Sequence, residues 1–175
     1  MKIYINSILY PIKTLGPRER IGIWFQGCSI GCKGCMSKHT WETDDKYLTT
    51  TNEILKEIKK AELKRITISG GEPFQQPKAL KDILEKIKKL GITDIIVYSG
   101  MPKTKILKEY PWIQNLCGLL ISEPFMESQK TELAWKGSDN QIATVFNNKN
   151  LYQKFLKEKK NKKLQIIENT IIGIY

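Results

Sequence analysis

The sequence predicts an α/β protein, either a partial (β/α) barrel or an open, largely parallel sheet. Three observations predict it. Short β-branched runs alternate with amphipathic helical stretches through the middle of the chain, the pattern of right-handed βαβ units. Gly, Ser and Pro close the strand-like runs, as in "RITISGGEP", "VYSGMP" and "LLISEP". Three of the four cysteines follow directly on another such run, within residues 28–35. A length of 175 residues suits one domain spanning 1–175.

Taken in order, Ile3 and Ile5 alternate with polar neighbours, so residues 2–6 read as a strand. "RIGIWFQ" sets Ile21, Ile23 and Phe25 against Gly22 and Trp24, a strand that runs into the cysteine loop. Thr51 or Asn52 is placed to cap a helix whose Ile54, Leu55, Ile58 and Ala61 share a face. "RITIS" is a strand ending at Gly70-Gly71. Pro77 suits the first turn of the next helix, with an apolar stripe of Leu80, Ile83, Leu84, Ile87 and Leu90, and Gly91 stops it. "TDIIVYSG" is a strand, "KTKILKEY" a short helix, and "CGLLIS" and "QIATVF" are strands. "NLYQKFLKEKK" reads as a helix, and "LQIIENTIIGIY" as a closing hairpin turning near Glu168-Asn169-Thr170. Functional groups in such sheets gather at the C-terminal ends of the strands. That edge is expected to carry the cysteine loop, Gly70-Gly71-Glu72-Pro73, Ser99-Gly100 and Ser122-Glu123-Pro124 around one crevice.

The first residues lack the architecture of a signal peptide, and no apolar run reaches the roughly 18 residues of a membrane span. The expected setting is cytoplasmic, with no membrane partner. There, clustered cysteines are metal ligands or redox groups rather than disulfides. The net charge is +11. Most of it lies in lysines interleaved with Ile, Leu and acids at helical spacing, which is ordinary solvated surface. "KFLKEKKNKK" is the better candidate for a basic patch, and the charge would draw an acidic partner surface in a salt-dependent way.

Cys28, Cys32 and Cys35 form C-x3-C-x2-C. Three thiolates on one short loop suit zinc or an iron–sulfur cluster. A centre with only three protein ligands keeps one position open for chemistry. The spacing leaves alternatives: His39 could complete a Cys3His zinc site of a nucleic-acid-binding module, and Cys117 could be a distant fourth ligand, although its place before "GLLI" suits a buried, inert thiol. The second motif, Gly70-Gly71-Glu72-Pro73, follows a strand. Its glycines permit close approach to the backbone, and Glu72 could take an amino group. A plain strand-to-helix turn would use the same residues.

The two motifs together resemble the radical S-adenosylmethionine superfamily. That resemblance implies a 4Fe–4S cluster on Cys28, Cys32 and Cys35, with S-adenosylmethionine at the remaining iron. It implies Gly70, Gly71 and Glu72 near the methionine amino group. It also implies Gly34, Cys35 and Met36 near the adenosine end, and Ser99 near the carboxylate or ribose. A narrower resemblance, on "WFQGCSIGCKGCMSKHTW" and "WKGSDNQ", is to the activating proteins of anaerobic ribonucleotide reductases and their small relatives. It runs from about Leu15 to Gln141. The family's Thr-Trp is Thr40-Trp41 and its Gly-Ser-x-Asn-Gln is Gly137-Ser138-Asp139-Asn140-Gln141. The chain departs from the family at Met36-Ser37, where an aromatic-Asn pair is usual, and at Ser122-Glu123-Pro124-Phe125, where Asp-Gly-Pro-Phe is usual.

The resemblance implies an oxidoreductase that cleaves S-adenosylmethionine reductively and places a radical on a glycine of a partner enzyme. It implies a flavodoxin- or ferredoxin-type electron donor and no nucleic acid. A chain this short has little material for a substrate cap of its own, which favours a macromolecular target. The alternatives are a stand-alone enzyme modifying a peptide or small metabolite, and the Cys3His zinc module. Trp24, Trp41 and Trp135 flank the motifs and read as packing residues.

Overall fold

The computed structural model describes residues 1–160, 165–167 and 170–172. Its main sheet is built from β1 (Lys2–Ile12), β2 (Arg20–Phe25), β3 (Leu48–Thr50), β4 (Arg65–Gly70), β5 (Asp94–Tyr98), β6 (Leu119–Ser122) and β7 (Ile142–Val145). The helices are α1 (Thr51–Lys60), α2 (Pro77–Lys89), α3 (Lys103–Glu109), α4 (Ile113–Leu116) and α5 (Lys149–Phe155). The strand order is β3-β1-β2-β4-β5-β6-β7. The central four, β2, β4, β5 and β6, are parallel. The flanking β1, β3 and β7 are antiparallel. The sheet does not close, so the expected open, largely parallel α/β architecture is the one observed.

The parallel strands carry apolar residues on both of their faces because both faces are covered. Ile21, Ile23 and Phe25 of β2, Ile66 and Ile68 of β4, and Ile95 and Val97 of β5 belong to one core with Ile54, Ile58, Leu80, Ile83, Leu84 and Ile87 of the helices. Ile96, Leu119 and Ile121 point the other way, against Trp135, Tyr152 and Phe155. Trp24 joins Leu9, Ile12 and Leu15 in a third, smaller cluster. Each such side chain contributes roughly 1.5–3 kcal/mol on full burial.

At the N-terminal edge, Arg20 is fully buried. Its Nε donates to Thr67 Oγ1 (2.7 Å), and its guanidinium donates to the Ile66 carbonyl (2.8 Å) and to Asp94 Oδ1 (2.8 Å). Tyr152 of α5 donates its hydroxyl to the same carboxylate oxygen (2.8 Å). Arg20 and Asp94 together thus tie β2, β4, β5 and α5 at the end of the sheet away from the cysteines.

Some expectations need correction. The first strand continues past residue 6 to Ile12, with pairing irregularities between Ile5 and Ser7 and between Leu9 and Ile12. These bulges break the alternation that sequence patterning relies on. The cap of α1 is Thr50, not Thr51 or Asn52: its hydroxyl accepts from Glu53 N, and Glu53 reaches back to Thr50 N. Helix α5 stops at Phe155. Pro77 does open α2, and Gly91 follows it in the left-handed region (φ 75°). The closing hairpin is present as β8 (Gln165–Ile167) paired antiparallel with β9 (Thr170–Ile172). Its turn residues Glu168 and Asn169 lie outside the described residues, as does part of the basic run 154–163.

Candidate metal centre

The site begins where β2 ends. Gln26 is buried and its amide is fully used: Nε2 donates to the His39 and Glu42 carbonyls, and Oε1 accepts from Asn6 Nδ2. The chain then turns at Gly27 (φ 98°). Gly27 N donates to the Thr40 carbonyl (2.7 Å) and Cys28 N to the Trp41 carbonyl (2.9 Å). Thr40-Trp41 therefore closes the base of the cysteine loop through its backbone. Within the loop, Gly31 and Gly34 are left-handed (φ 68° and 75°), and Cys35 N donates to the Cys32 carbonyl. Cys28, Cys32 and Cys35 are all free thiols, each only partly buried.

Burial pushes the Cys28 and Cys32 thiols up. Backbone N–H groups oppose this, from Ile30 and Gly31 at Cys28 and from Phe125 at Cys32. The loop thus presents its sulfurs to amide donors, which suits groups that are thiolates when they bind metal. Among the described residues, no three His, Cys, Asp or Glu side chains are gathered to hold a single ion. His39 is exposed and contributes only its carbonyl, to Gln26. Cys117 is buried at the other end of β6. The loop is therefore not folded as a Cys3His site. A donor set of three free thiols on a glycine-rich loop fits a cluster, whose thiolates bind separate irons.

The Gly70-Gly71-Glu72-Pro73 stretch braces this loop from behind. Gly71 N donates to the Phe25 carbonyl (2.8 Å) and Glu72 N to the Gly27 carbonyl (2.9 Å). A Cβ at Gly71 would stand 2.3 Å from the Gly27 oxygen, and one at Gly70 would stand 2.6 Å from Phe25 N. The close approach these glycines permit is thus between two backbones of the protein. Beyond them, Gln75 exchanges hydrogen bonds with Ser29, accepting from its N–H and donating to its hydroxyl. Gln76 pairs with the Tyr4 backbone and donates to the Gln26 carbonyl.

Glu72 is 1% exposed. Its Oε1 accepts from Phe74 N (3.0 Å) and Ser99 Oγ (2.8 Å), and its Oε2 from Gly100 N (2.8 Å). Burial pushes its carboxyl above the usual range, against the pull of those donors. Ser99 in turn accepts from Met101 N (3.0 Å). Met36, by contrast, is exposed (53%) beside Cys35. The structure thus brings the cysteine loop, Gly70–Glu72 and Ser99-Gly100 to one edge, as expected, and commits the Glu72 and Ser99 side chains to partners within the protein.

The connection after β6 completes the edge. Glu123, left-handed at φ 85°, donates its N–H to the Met101 carbonyl, and its carboxylate accepts from Lys103 N. The positive charge does not gather here. The connections leaving β2, β4, β5 and β6, residues 26–47, 71–76, 99–102 and 123–141, hold five Lys or Arg and eight Asp or Glu, against 29 and 18 in the whole chain. The expectation that +11 steers a partner to this edge is therefore not supported by where the charges lie. Gln26, Gln75 and Gln76 escaped sequence reading. Their signal was a run of amides flanking both motifs in "WFQGC" and "PFQQP".

Residues 14–144 match the family model of the 4Fe-4S single cluster domain. The chain belongs to that family. Among curated proteins, the anaerobic ribonucleoside-triphosphate reductase-activating protein of Escherichia coli K12 is 28% identical over 144 residues, covering 76% of this chain and 93% of its own. The protein of the same name from bacteriophage T4 is 26% identical over 140 residues, covering 76% and 88%. The pyruvate formate-lyase-activating enzyme of Clostridium pasteurianum is 36% identical over 91 residues, 49% of this chain and 38% of that one. A solved structure, QueE from Escherichia coli, aligns with a TM-score of 0.49 at 21% identity over 57% of this chain and 53% of that one. The expected 4Fe–4S cluster is borne out by the family match, and the resemblance to activating proteins by these relatives. No helix among the described residues is long and apolar enough to cross a membrane.

Proposed function

We propose that this protein is an activase that installs a glycyl radical on a partner enzyme of the anaerobic ribonucleotide reductase type. The observation that carries the reading is the cysteine loop itself: three free thiols whose loop is closed by Thr40-Trp41 and braced by Gly71-Glu72, in a chain that aligns with 93% of a reductase-activating protein. Cys28, Cys32 and Cys35 would hold the cluster, each on a separate iron. When bound, that cluster supplies the electron for reductive cleavage of S-adenosylmethionine, the hard chemistry that the protein itself does not perform.

The chain's own residues bind, orient and shield. Gly34, Cys35 and exposed Met36 form the outer wall, where the adenosine end would lie. Gly70, Gly71, Glu72 and Ser99, behind the cysteine loop, would lie on the methionine side. The Glu72 carboxylate and Ser99 hydroxyl act there by holding the Gly100 and Met101 amides in place. The edge has no cap among the described residues, so a docking partner would complete the exclusion of water. The electron donor would be a flavodoxin- or ferredoxin-type protein, and the setting cytoplasmic. The test is to mix the reduced protein, S-adenosylmethionine and a candidate glycyl radical enzyme, and to record the electron paramagnetic resonance spectrum. A glycyl doublet that needs both proteins is the expected result. Rapid 5′-deoxyadenosine formation coupled to change in a peptide or metabolite, with no doublet, would replace the activase by a stand-alone enzyme.

A further inference from the structure

Single exposed apolar side chains are ordinary on a protein surface. Here all four large ones among the described residues lie at the edge of the sheet that carries the cysteines. Met36 (53% exposed) follows Cys35, and Met126 (42%) lies in the connection after β6. Ile142 (43%) opens β7, which runs antiparallel to β6 with Ile142 opposite Ser122, so it stands at the same end. Met1 precedes β1, which is antiparallel to β2 and starts at that end too. None of the four lies on the lysine-rich α1 and α2.

Three of them are held on neighbouring loops. Glu127, next to Met126, fills the space above Gly34, its carboxylate 2.8 Å from where a Cβ would stand, and Gly34 is two residues from Met36. The Gly137–Gln141 motif fixes the other side. Ser138 Oγ accepts from Met126 N (3.0 Å), Asn140 Nδ2 donates to the Pro124 carbonyl (2.8 Å), and Gln141 Nε2, one residue before Ile142, donates to the Glu123 carbonyl (3.3 Å). Met126 and Ile142 are thus presented by a loop pair that is ordered before any partner arrives, which lowers the cost of binding.

The charge of this edge also differs from that of the rest. It holds five Lys or Arg and eight Asp or Glu, leaving 24 and 10 for the remainder of the chain. Glu72 is buried, whereas Glu42, Asp44, Asp45 and Glu127 are exposed. Protein interfaces are rich in Met and poor in Lys, and Met adapts to the surface it meets. An excess of acid repels a phosphate backbone. A face that lies on lipid mixes its apolar side chains with lysines, and these are set apart from them.

We propose that Met36, Met126 and Ile142 form the apolar centre of the docking surface for the partner enzyme, and that the partner meets it with an apolar patch ringed by Lys and Arg. The proposal rests on the activase reading and adds the chemistry of the partner's surface to it. The lysines of α1 and α2 take no part in the contact.

The test measures the affinity of the anaerobically reconstituted protein, with S-adenosylmethionine bound, for an anaerobic ribonucleoside-triphosphate reductase that gives a glycyl doublet with the parent. Met126→Lys and Ile142→Lys are each expected to raise Kd at least about tenfold, with iron content and partner-free cleavage of S-adenosylmethionine unchanged. Met126→Leu should keep the parental Kd. Glu42→Lys, at the base of the cysteine loop, should weaken binding, while Lys81→Glu on α2 should not. Parental Kd in both Met126→Lys and Ile142→Lys, with the doublet still formed, overturns the docking surface and leaves the activase reading standing. Tighter binding in Glu42→Lys, or loss of binding in Lys81→Glu, overturns the basic character of the partner. No doublet from the parent with any candidate, together with 5′-deoxyadenosine formation coupled to change in a metabolite, overturns the activase reading and the docking surface with it.

Discussion

Replacing Gly71 by Ala places one methyl group where the structure leaves no room for it. The new Cβ would stand 2.3 Å from the Gly27 oxygen, 2.9 Å from its carbonyl carbon and 3.1 Å from its nitrogen. All three are backbone atoms, so no side chain can rotate out of the way. Restoring ordinary contact, about 3.5 Å, requires the two loops to part by roughly 1 Å. That movement lengthens the bond from Glu72 N to the Gly27 carbonyl, now 2.9 Å, and strains that from Gly71 N to the Phe25 carbonyl, now 2.8 Å. Overpacking of this kind costs about 1–3 kcal/mol, and each weakened bond adds up to about 1 kcal/mol. The expected loss is about 2–4 kcal/mol. Because Gly27 precedes Cys28, retained iron should fall as well. The assay is urea denaturation of the metal-free protein under anaerobic conditions, paired with iron content after reconstitution. Gly91→Ala is the control: it is left-handed but has nothing within 4 Å of the new atom, so it should cost about 1 kcal/mol and leave iron unchanged. A Gly71→Ala protein with parental stability and full iron would refute the bracing role.

Three further outcomes follow from the same geometry. Arg20→Ala removes the cation paired with the buried Asp94 carboxylate, leaving it the Tyr152 hydroxyl, and takes a donor from the Ile66 carbonyl, and should lower stability by about 3–5 kcal/mol in denaturant melts. Thr50→Ala removes the hydroxyl half of the α1 capping box and should cost about 1 kcal/mol, whereas Asn52→Ala should not, because Asn52 does not cap. Burial pushes the Cys117 thiol far up, so it should resist alkylation near pH 8 in the folded, metal-free protein while Cys28, Cys32 and Cys35 are modified, as read by mass spectrometry. A folded-state pKa above the unfolded one means that the folded chain holds the proton longer. Stability linked to Cys117 is therefore full below the ordinary thiol range of about 8.5 and declines as pH rises above it; Cys117→Ala should flatten that decline.

The local signals read well where one physical cause dominated. The stripe of Leu80, Ile83, Leu84 and Ile87 could only be a helix face against a sheet, and the C-x3-C-x2-C spacing announced a metal loop without help from the fold. What stayed hidden depends on contacts far apart in sequence. Arg20 looks like any surface cation until β4 and β5 bring Thr67 and Asp94 to it. Gln26, Gln75 and Gln76 look like loop residues until strands 50 positions apart place them back to back. The pattern marks Gly71 as a point of close approach but does not say what approaches; in the structure it is the Gly27 backbone. The charge total gave no direction either, since a sum carries no position and the lysines prove sparse at the site edge.

The most direct test of the central claim is the metal and spin state of the anaerobically reconstituted chain, before and after S-adenosylmethionine is added. The account predicts about four irons and four inorganic sulfides per chain, a reduced-cluster resonance that changes when S-adenosylmethionine binds, and loss of both in Cys28→Ala, Cys32→Ala and Cys35→Ala but not in His39→Ala or Cys117→Ala. One zinc per chain that depends on His39, or a cluster resonance indifferent to S-adenosylmethionine, would contradict it.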